Sequence, residues 1–218
     1  EEFSPIPGQP DSWSIAQTVF IDDENIANKI ALEALSKGAE SIVFKANKPF
    51  DPEVVFQDFP GEKTIIFELS FLSEDFYKRL SLYLKKKKIS FRFTLDIIGN
   101  LAKTGNWFQN KEKDFEILGN LFSSHLLGVD VSLYQNAGAN IVQQLVYALA
   151  HANEYLNFLD RHGKEKDEIT LTFKVAMGSN YFFEIAKIRA LRILFSTLAK
   201  AYGINENCFI LAVPSKRN

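Results

Sequence analysis

The chain has 218 residues, 46% of them hydrophobic and 20 of them phenylalanine, with a net charge of −2. It can form one large domain or two small ones with a sizeable core, and its near-neutrality gives no electrostatic reason to expect nucleic acid or an anionic membrane as partner. A single cysteine, Cys208, excludes an intramolecular disulfide and points to a cytoplasmic protein, and no apolar run approaches the roughly 20 residues of a transmembrane helix.

Residues 1–13 (EEFSPIPGQPDSW) are acidic and proline-rich, unlike a signal peptide, and read as a linker. The chain opens on Glu1 rather than methionine, so a fragment of a longer protein is expected. The folded region is then 14–218. Ser14–Ile21 reads as a strand. Asp22 and Asp23 cap a helix that runs through Lys37 and stops at Gly38, with Ile26, Ile30, Ala34 and Leu35 as its apolar stripe. Strand Ser41–Ala46 follows, then a Pro-bounded segment, Asp51–Phe59, and strand Thr64–Leu69. Ser73 opens a helix through Lys88, whose four closing lysines suit a solvated helix C-terminus. Ser90–Ile97 is the fourth strand. A loop with Gly99, Gly105 and Trp107 leads to a helix over about 111–126. Gly128–Tyr134 is the fifth strand and precedes a helix from about 138 to 161. Ile169–Ala176 is the sixth and precedes a helix over 179–202, and Cys208–Val213 is the seventh.

Strand starts recur at intervals of roughly 23–41 residues, the spacing of βα units with helical crossovers. An α/β fold follows. The expected form is a (β/α)8 TIM-type barrel truncated after its seventh strand, and a doubly wound sheet is the structural alternative. No glycine-rich phosphate fingerprint follows the first strand, which weakens the dinucleotide-binding form of that alternative. A missing eighth unit leaves an exposed strand edge.

The strands alternate between apolar and polar faces. In a barrel the face beneath the helices is apolar, so the polar face points into the lumen. That places Lys45, Glu68, Arg92, Asp96, Asp130 and Lys174 inward, three bases and three acids. Buried charges must pair or meet solvent. One reading is therefore an ion-pair network filling the lumen. The other is an active barrel lyase or isomerase using Lys45, Asp96 and Lys174 at the C-terminal rim.

Recognisable chemistry is otherwise scarce. His125, His151 and His162 are not spaced for a metal, and no nucleophile elbow, Walker loop or HExxH occurs. The helix over 179–202 carries Lys187, Arg189 and Arg192. Its apolar face is Tyr181, Ile185, Ile188 and Leu191, widened by Phe182, Phe183, Leu194 and Phe195. A helix so apolar around its circumference is packed deeply or meets another subunit.

Two stretches carry a family resemblance. AGANIVQQLVYALAHANEYL (137–156) resembles the AGA-x-x-x-QELA-x-x-LA-x-x-x-EYL stretch of methylmalonyl-CoA mutases, and SNYFFEIAKIRALRILF (179–195) resembles their FFxEIAKxRAxRxLW helix. SWSIAQTVF (12–20) is similar to their PWTIRQYAGF entry strand. The resemblance implies a barrel that threads acyl-CoA through its lumen, capped by adenosylcobalamin on a separate domain. It also implies which residues are missing. The Tyr-His pair ahead of the family's AGA string falls on Ser132 and Leu133. The entry-strand tyrosine falls on Thr18 and its arginine on Ala16. No arginine stands between Arg92 and Arg161 to hold a substrate carboxylate. Leucine cannot donate a hydrogen bond to a thioester carbonyl.

The family includes heterodimers of a large catalytic and a small non-catalytic subunit, and this chain resembles the small one. The expectation is a non-catalytic support for a large catalytic subunit, binding no cofactor itself. Its partner contacts are expected on the helices at 138–161 and 179–202, and its lumen is expected to be closed by phenylalanines and paired charges. Asp160-Arg161-His162 matches the start of the cobalamin-binding DxHxxG motif, but Glu165 stands where its glycine is required.

Overall fold

The computed structural model describes residues 5–121, 125–163 and 169–217. In chain order the described elements are β1 (Ala16–Phe20), α1 (Glu24–Ser36), β2 (Ser41–Ala46), α2 (Pro52–Val55), β3 (Thr64–Leu69), α3 (Glu74–Lys86), β4 (Ser90–Phe93) and α4 (Ile97–Thr104). They continue with α5 (Lys111–Leu121), β5 (Gly128–Asp130), α6 (Ser132–Asn136), α7 (Ile141–Arg161), β6 (Thr172–Met177), α8 (Tyr181–Tyr202) and β7 (Phe209–Pro214). The strands form two all-parallel sheets, β1-β2-β3-β4 and β5-β6-β7, each in chain order. Neither sheet contains the reversal of strand order that marks a doubly wound fold. The described ladders are two sheets, not one closed barrel.

The chain divides into two compact units. One comprises Ser12–Ile97 and Asn106–Phe122; the other comprises Glu1–Asp11, Ile98–Gly105 and Ser123–Asn218. In the first, β2 is buried on all but Lys45 and β3 on its central residues Ile65, Ile66 and Phe67, with no residue of either strand exposed. Their helix-facing side is aromatic. Phe44 stacks on Phe67 at 6.1 Å, Phe67 lies 5.4 Å from Phe93, and Phe93 lies 4.7 Å from Tyr77 of α3. Phe56 and Phe76 close the cluster edge-on against Phe44 and Phe50. Such pairs add about 0.5–1.5 kcal/mol each beyond area burial. These phenylalanines lie on the side of the sheet opposite Lys45 and Glu68, so they fill the layer beneath the helices.

Helix starts follow their caps. Asp23 accepts from the Ile26 amide, Ser73 from Phe76 and Asn180 from Phe183, while Asn140 and Gln143 form a reciprocal capping box at the start of α7. The stripe assigned to α1 is corrected. Ala27 and Ala31 are buried, whereas Ile26 is 60% and Ile30 44% exposed. Small residues on this helix face the sheet because they permit close approach.

Two further elements depart from expectation. The fourth strand stops at Phe93, and residues 97–104, read as strand end and loop, form α4, whose Ile98 amide donates to the Tyr155 hydroxyl at 2.9 Å. The fifth strand stops at Asp130, because its carboxylate takes the Ser132 amide and starts α6 where a strand was expected. The end expected for the helix over 111–126 reaches residues outside those described. The segment read as a linker is partly packed: Ile6 is buried within the second unit.

Candidate functional site

The sequence places its candidate charges on one face of each sheet, and the register brings some of them together. In the first unit Lys45 and Glu68 are direct cross-strand partners, and their side chains meet at 3.1 Å. The Lys45 ammonium also lies 5.8 Å from the centre of the Phe20 ring. Thr18 shares this face, since Thr18, Val43, Ile66 and Arg92 are successive partners across the four strands. Arg92 is half-buried, and that burial pushes its guanidinium below its ordinary pKa. Asp96 follows β4 and is half-buried.

In the second unit Asp130 and Lys174 are register partners, and their side chains meet at 3.1 Å. The other Asp130 oxygen accepts from the Ser132 amide at 3.0 Å and from the Ser132 hydroxyl. Asp130 is thus held by at least three donors. Ser132 is buried and Leu133 half-buried in the first turn of α6. At the two positions where the resemblance implies the family's Tyr-His pair, one side chain ties the strand end to the next helix and the other is aliphatic.

The most buried charged cluster escaped sequence reasoning. Lys187 of α8 is 1% exposed. Its ammonium meets Glu184 at 2.5 Å and donates to the Ala176 carbonyl at 2.7 Å and to Gln144 of α7 at 3.2 Å. The lysine therefore joins α7, the end of β6 and α8 at one point, through two hydrogen bonds and one ion pair. One helical turn further on, Arg192 donates to the Cys208 carbonyl at 3.2 Å, just before β7. Burial pushes the Cys208 thiol up to about 11, against the opposing pull of Arg192, so it is a poor nucleophile.

These contacts set which side of α8 is buried. Its buried stripe is Glu184, Lys187, Leu191, Phe195 and Ala199. Of its apolar residues, Leu191 and Phe195 are buried, while Tyr181 is 71% and Phe182 80% exposed. The available signal was the string EIAKIRALR itself: polar residues at positions 184, 187 and 192 repeat with helical spacing. Val142, Val146 and Tyr147 of α7 are exposed as well.

Cavities lined by described residues of the second unit include two. One, of about 410 Å³, lies where residues 6–10 cross α8. The other, of about 550 Å³, lies at the start of α7 and is lined by Ile141, Gln144, Phe183 and Arg217 among others. Neither is lined by Lys45, Asp96 or Lys174. Among the described residues no three His, Cys, Asp or Glu side chains converge as a metal site. The His151 Nε2 lies 2.6 Å from the Tyr134 hydroxyl, and the His162 Nδ1 lies 2.7 Å from the Phe158 carbonyl. Glu165 of the incomplete DxHxxG match lies outside the described residues. No helix among the described residues is long and apolar enough to cross a membrane.

Parallel sheets in chain order, βα crossovers and polar strand faces define an α/β protein of repeated βα units. Residues 84–215 match the methylmalonyl-CoA mutase family model. The chain therefore belongs to the methylmalonyl-CoA mutase family. It is 26% identical to the methylmalonyl-CoA mutase small subunit of Propionibacterium freudenreichii subsp. shermanii, over 92% of this chain and 34% of that protein. It is 28% identical to the small subunit of Porphyromonas gingivalis, over 88% of this chain and 34% of that protein. The P. gingivalis large subunit matches at 38% identity, but over 32% of this chain and 10% of its own length. The chain spans about a third of the length of the small subunits it matches.

The incomplete DxHxxG match does not fit adenosylcobalamin, since Glu165 stands where its glycine is required. His162, the histidine of the incomplete motif, stacks on Phe158 at 4.2 Å and is directed at a carbonyl of its own helix.

Proposed function

We propose that this chain is the barrel-forming part of a non-catalytic small subunit of methylmalonyl-CoA mutase, a cytoplasmic protein that supports a large catalytic subunit. The carrying observation is the match to two small subunits over about nine-tenths of the chain, combined with the state of Ser132. At a position where the resemblance implies a catalytic side chain, Ser132 is occupied with Asp130. The sequential parallel order within both sheets supports a barrel-type winding.

In this reading Lys45, Glu68, Arg92 and Asp96 in the first unit, and Asp130 and Lys174 in the second, are structural charges on the polar faces of their own sheets. The ion pairs of Lys45 and Lys174 support it, since each ammonium is already engaged by a cross-strand carboxylate. The same pairs speak against the lyase or isomerase reading on Lys45, Asp96 and Lys174. The partner contact lies on the exposed apolar turns of α7 and α8, where Val142, Val146, Phe182 and Phe183 stand in solvent. Adenosylcobalamin belongs to the catalytic subunit.

The test is an assay of the purified chain with methylmalonyl-CoA and adenosylcobalamin, alone and after co-expression with the large subunit. The chain alone should give no succinyl-CoA, and it should co-purify with the large subunit in a fixed ratio. Turnover by the chain alone would overturn the proposal.

A further inference from the structure

The cavity where the N-terminal segment crosses α8 is separate from the charged strand faces and takes no part in the proposed function. Its floor is one stripe of α8, with Tyr181, Ile185, Ile188 and Arg192 at helical spacing. Met177, at the end of β6, closes one side, and Ile6 and Pro10 form the roof. At about 410 Å³ it falls in the size range of small-molecule sites, and its walls are mainly apolar, as such sites require.

The roof is fixed in place by its turn. Ile6 is buried, and the Gln9 amide donates to the Ile6 carbonyl at 3.2 Å. Gly8 between them has φ +62°, and a Cβ there would lie 2.7 Å from Asn207 Oδ1. Only glycine lets the segment sit this close to the approach to β7 without strain.

The charges lining this cavity are unbalanced. Glu184 is neutralised by Lys187 at 2.5 Å. Arg192 donates to the Cys208 carbonyl. Arg189 is exposed at the rim and makes no hydrogen bond or ion pair among the described residues. Two guanidiniums thus border an apolar chamber whose one acid is already engaged. A cation is disfavoured there. A sugar or nucleotide would leave many polar groups facing isoleucine, methionine and proline. A planar carboxylate suits the guanidinium fork, and an apolar body suits the walls.

We infer that this cavity is a binding site for a small amphipathic carboxylate, with its apolar body between Ile6, Ile185 and Ile188 and its carboxylate on Arg189. The site requires neither the partner subunit nor the mutase reaction.

The experiment is calorimetric or ligand-observed NMR titration of the purified protein with hexanoate, using acetate, hexanol and hexylamine as controls. Hexanoate should saturate one site with Kd of about 1 mM or tighter. Each control lacks the apolar body or the negative charge and should bind at least about tenfold more weakly. Arg189→Gln should weaken hexanoate about tenfold and leave hexanol unchanged, since a charge-assisted hydrogen bond is lost and the walls remain. Arg189 is exposed, so this variant should keep the native circular dichroism spectrum. Gly8→Ala should weaken hexanoate by displacing the roof. Absence of saturable hexanoate binding, equal binding of hexanol, or an unchanged hexanoate Kd in Arg189→Gln would overturn the inference.

Discussion

Lys187→Met is the most informative perturbation of the fold. The methionine matches the length and apolar stem of the lysine, so the cavity term is small. What is lost is the ammonium, with its contacts to Glu184, the Ala176 carbonyl and Gln144. Glu184 is 7% exposed and would be left as a buried carboxylate without its counter-ion. Removing one partner of a buried ion pair costs about 3–5 kcal/mol, most of it the penalty of the stranded charge. With a urea m-value of about 2 kcal/mol/M, the denaturation midpoint should fall by about 1.5–2.5 M. The double variant Lys187→Met with Glu184→Gln removes the stranded charge and should recover at least about 2 kcal/mol of that loss. Equilibrium urea unfolding followed by circular dichroism measures both. A midpoint shift below about 0.5 M for Lys187→Met, or a double variant less stable than the single one, would refute the reasoning.

Other parts of the molecule give further expectations. Phe182→Ser with Phe183→Ser should leave thermal stability within about 0.5 kcal/mol of the parent, because both rings are exposed, yet abolish co-purification with the large subunit. Gly203→Ala should cost about 1 kcal/mol in chemical denaturation: the residue closes α8 at φ +66° with nothing within 4 Å of an added methyl, so the penalty is purely backbone. Cys208 should resist iodoacetamide at pH 8 in the native protein and react once urea unfolds it, as burial holds the thiol near 11. Because folding raises this pKa, its contribution to stability is fully present below the unfolded thiol's pKa and declines as pH rises from about 9 towards 11. Alkaline unfolding should therefore begin at lower pH in the parent than in Cys208→Ala, and measuring the two midpoints checks it.

Local pattern made much of the fold legible. Strands β2 and β3 match their expected bounds residue for residue, because unbroken apolar β-branched and aromatic runs bounded by polar residues admit little else. The starts of α1 and α3 were legible from Asp23 and Ser73, whose side chains cap the helices as read. The cross-strand charges were legible from alternation, which placed Lys45 with Glu68 and Asp130 with Lys174 on common faces. Helix α4 was not legible, because Gly99 and the preceding alternation argued for strand and loop, and its anchor on the Tyr155 hydroxyl is 57 residues away.

Which face of a helix turns inward was decided by the tertiary structure. Isoleucines on α1 and aromatics on α8 are the stronger hydrophobes, yet Ala27 and Lys187 take the inner positions. Close packing favours the small side chain in one case, and the open carbonyl at the end of β6 favours the ammonium in the other. Such choices depend on the partner surface a residue meets and not on its own hydrophobicity. The sequence by itself determined the βα order and the pairing faces of the strands, and it carries Ser132 and Leu133 where the resemblance implies the family's catalytic pair. Only the tertiary structure turned Ser132 into a tie for Asp130, exposed the aromatic face of α8, and built a cavity between Ile6 and Arg189. Each of these depends on the surface that a residue meets once the chain has folded, which local periodicity does not encode.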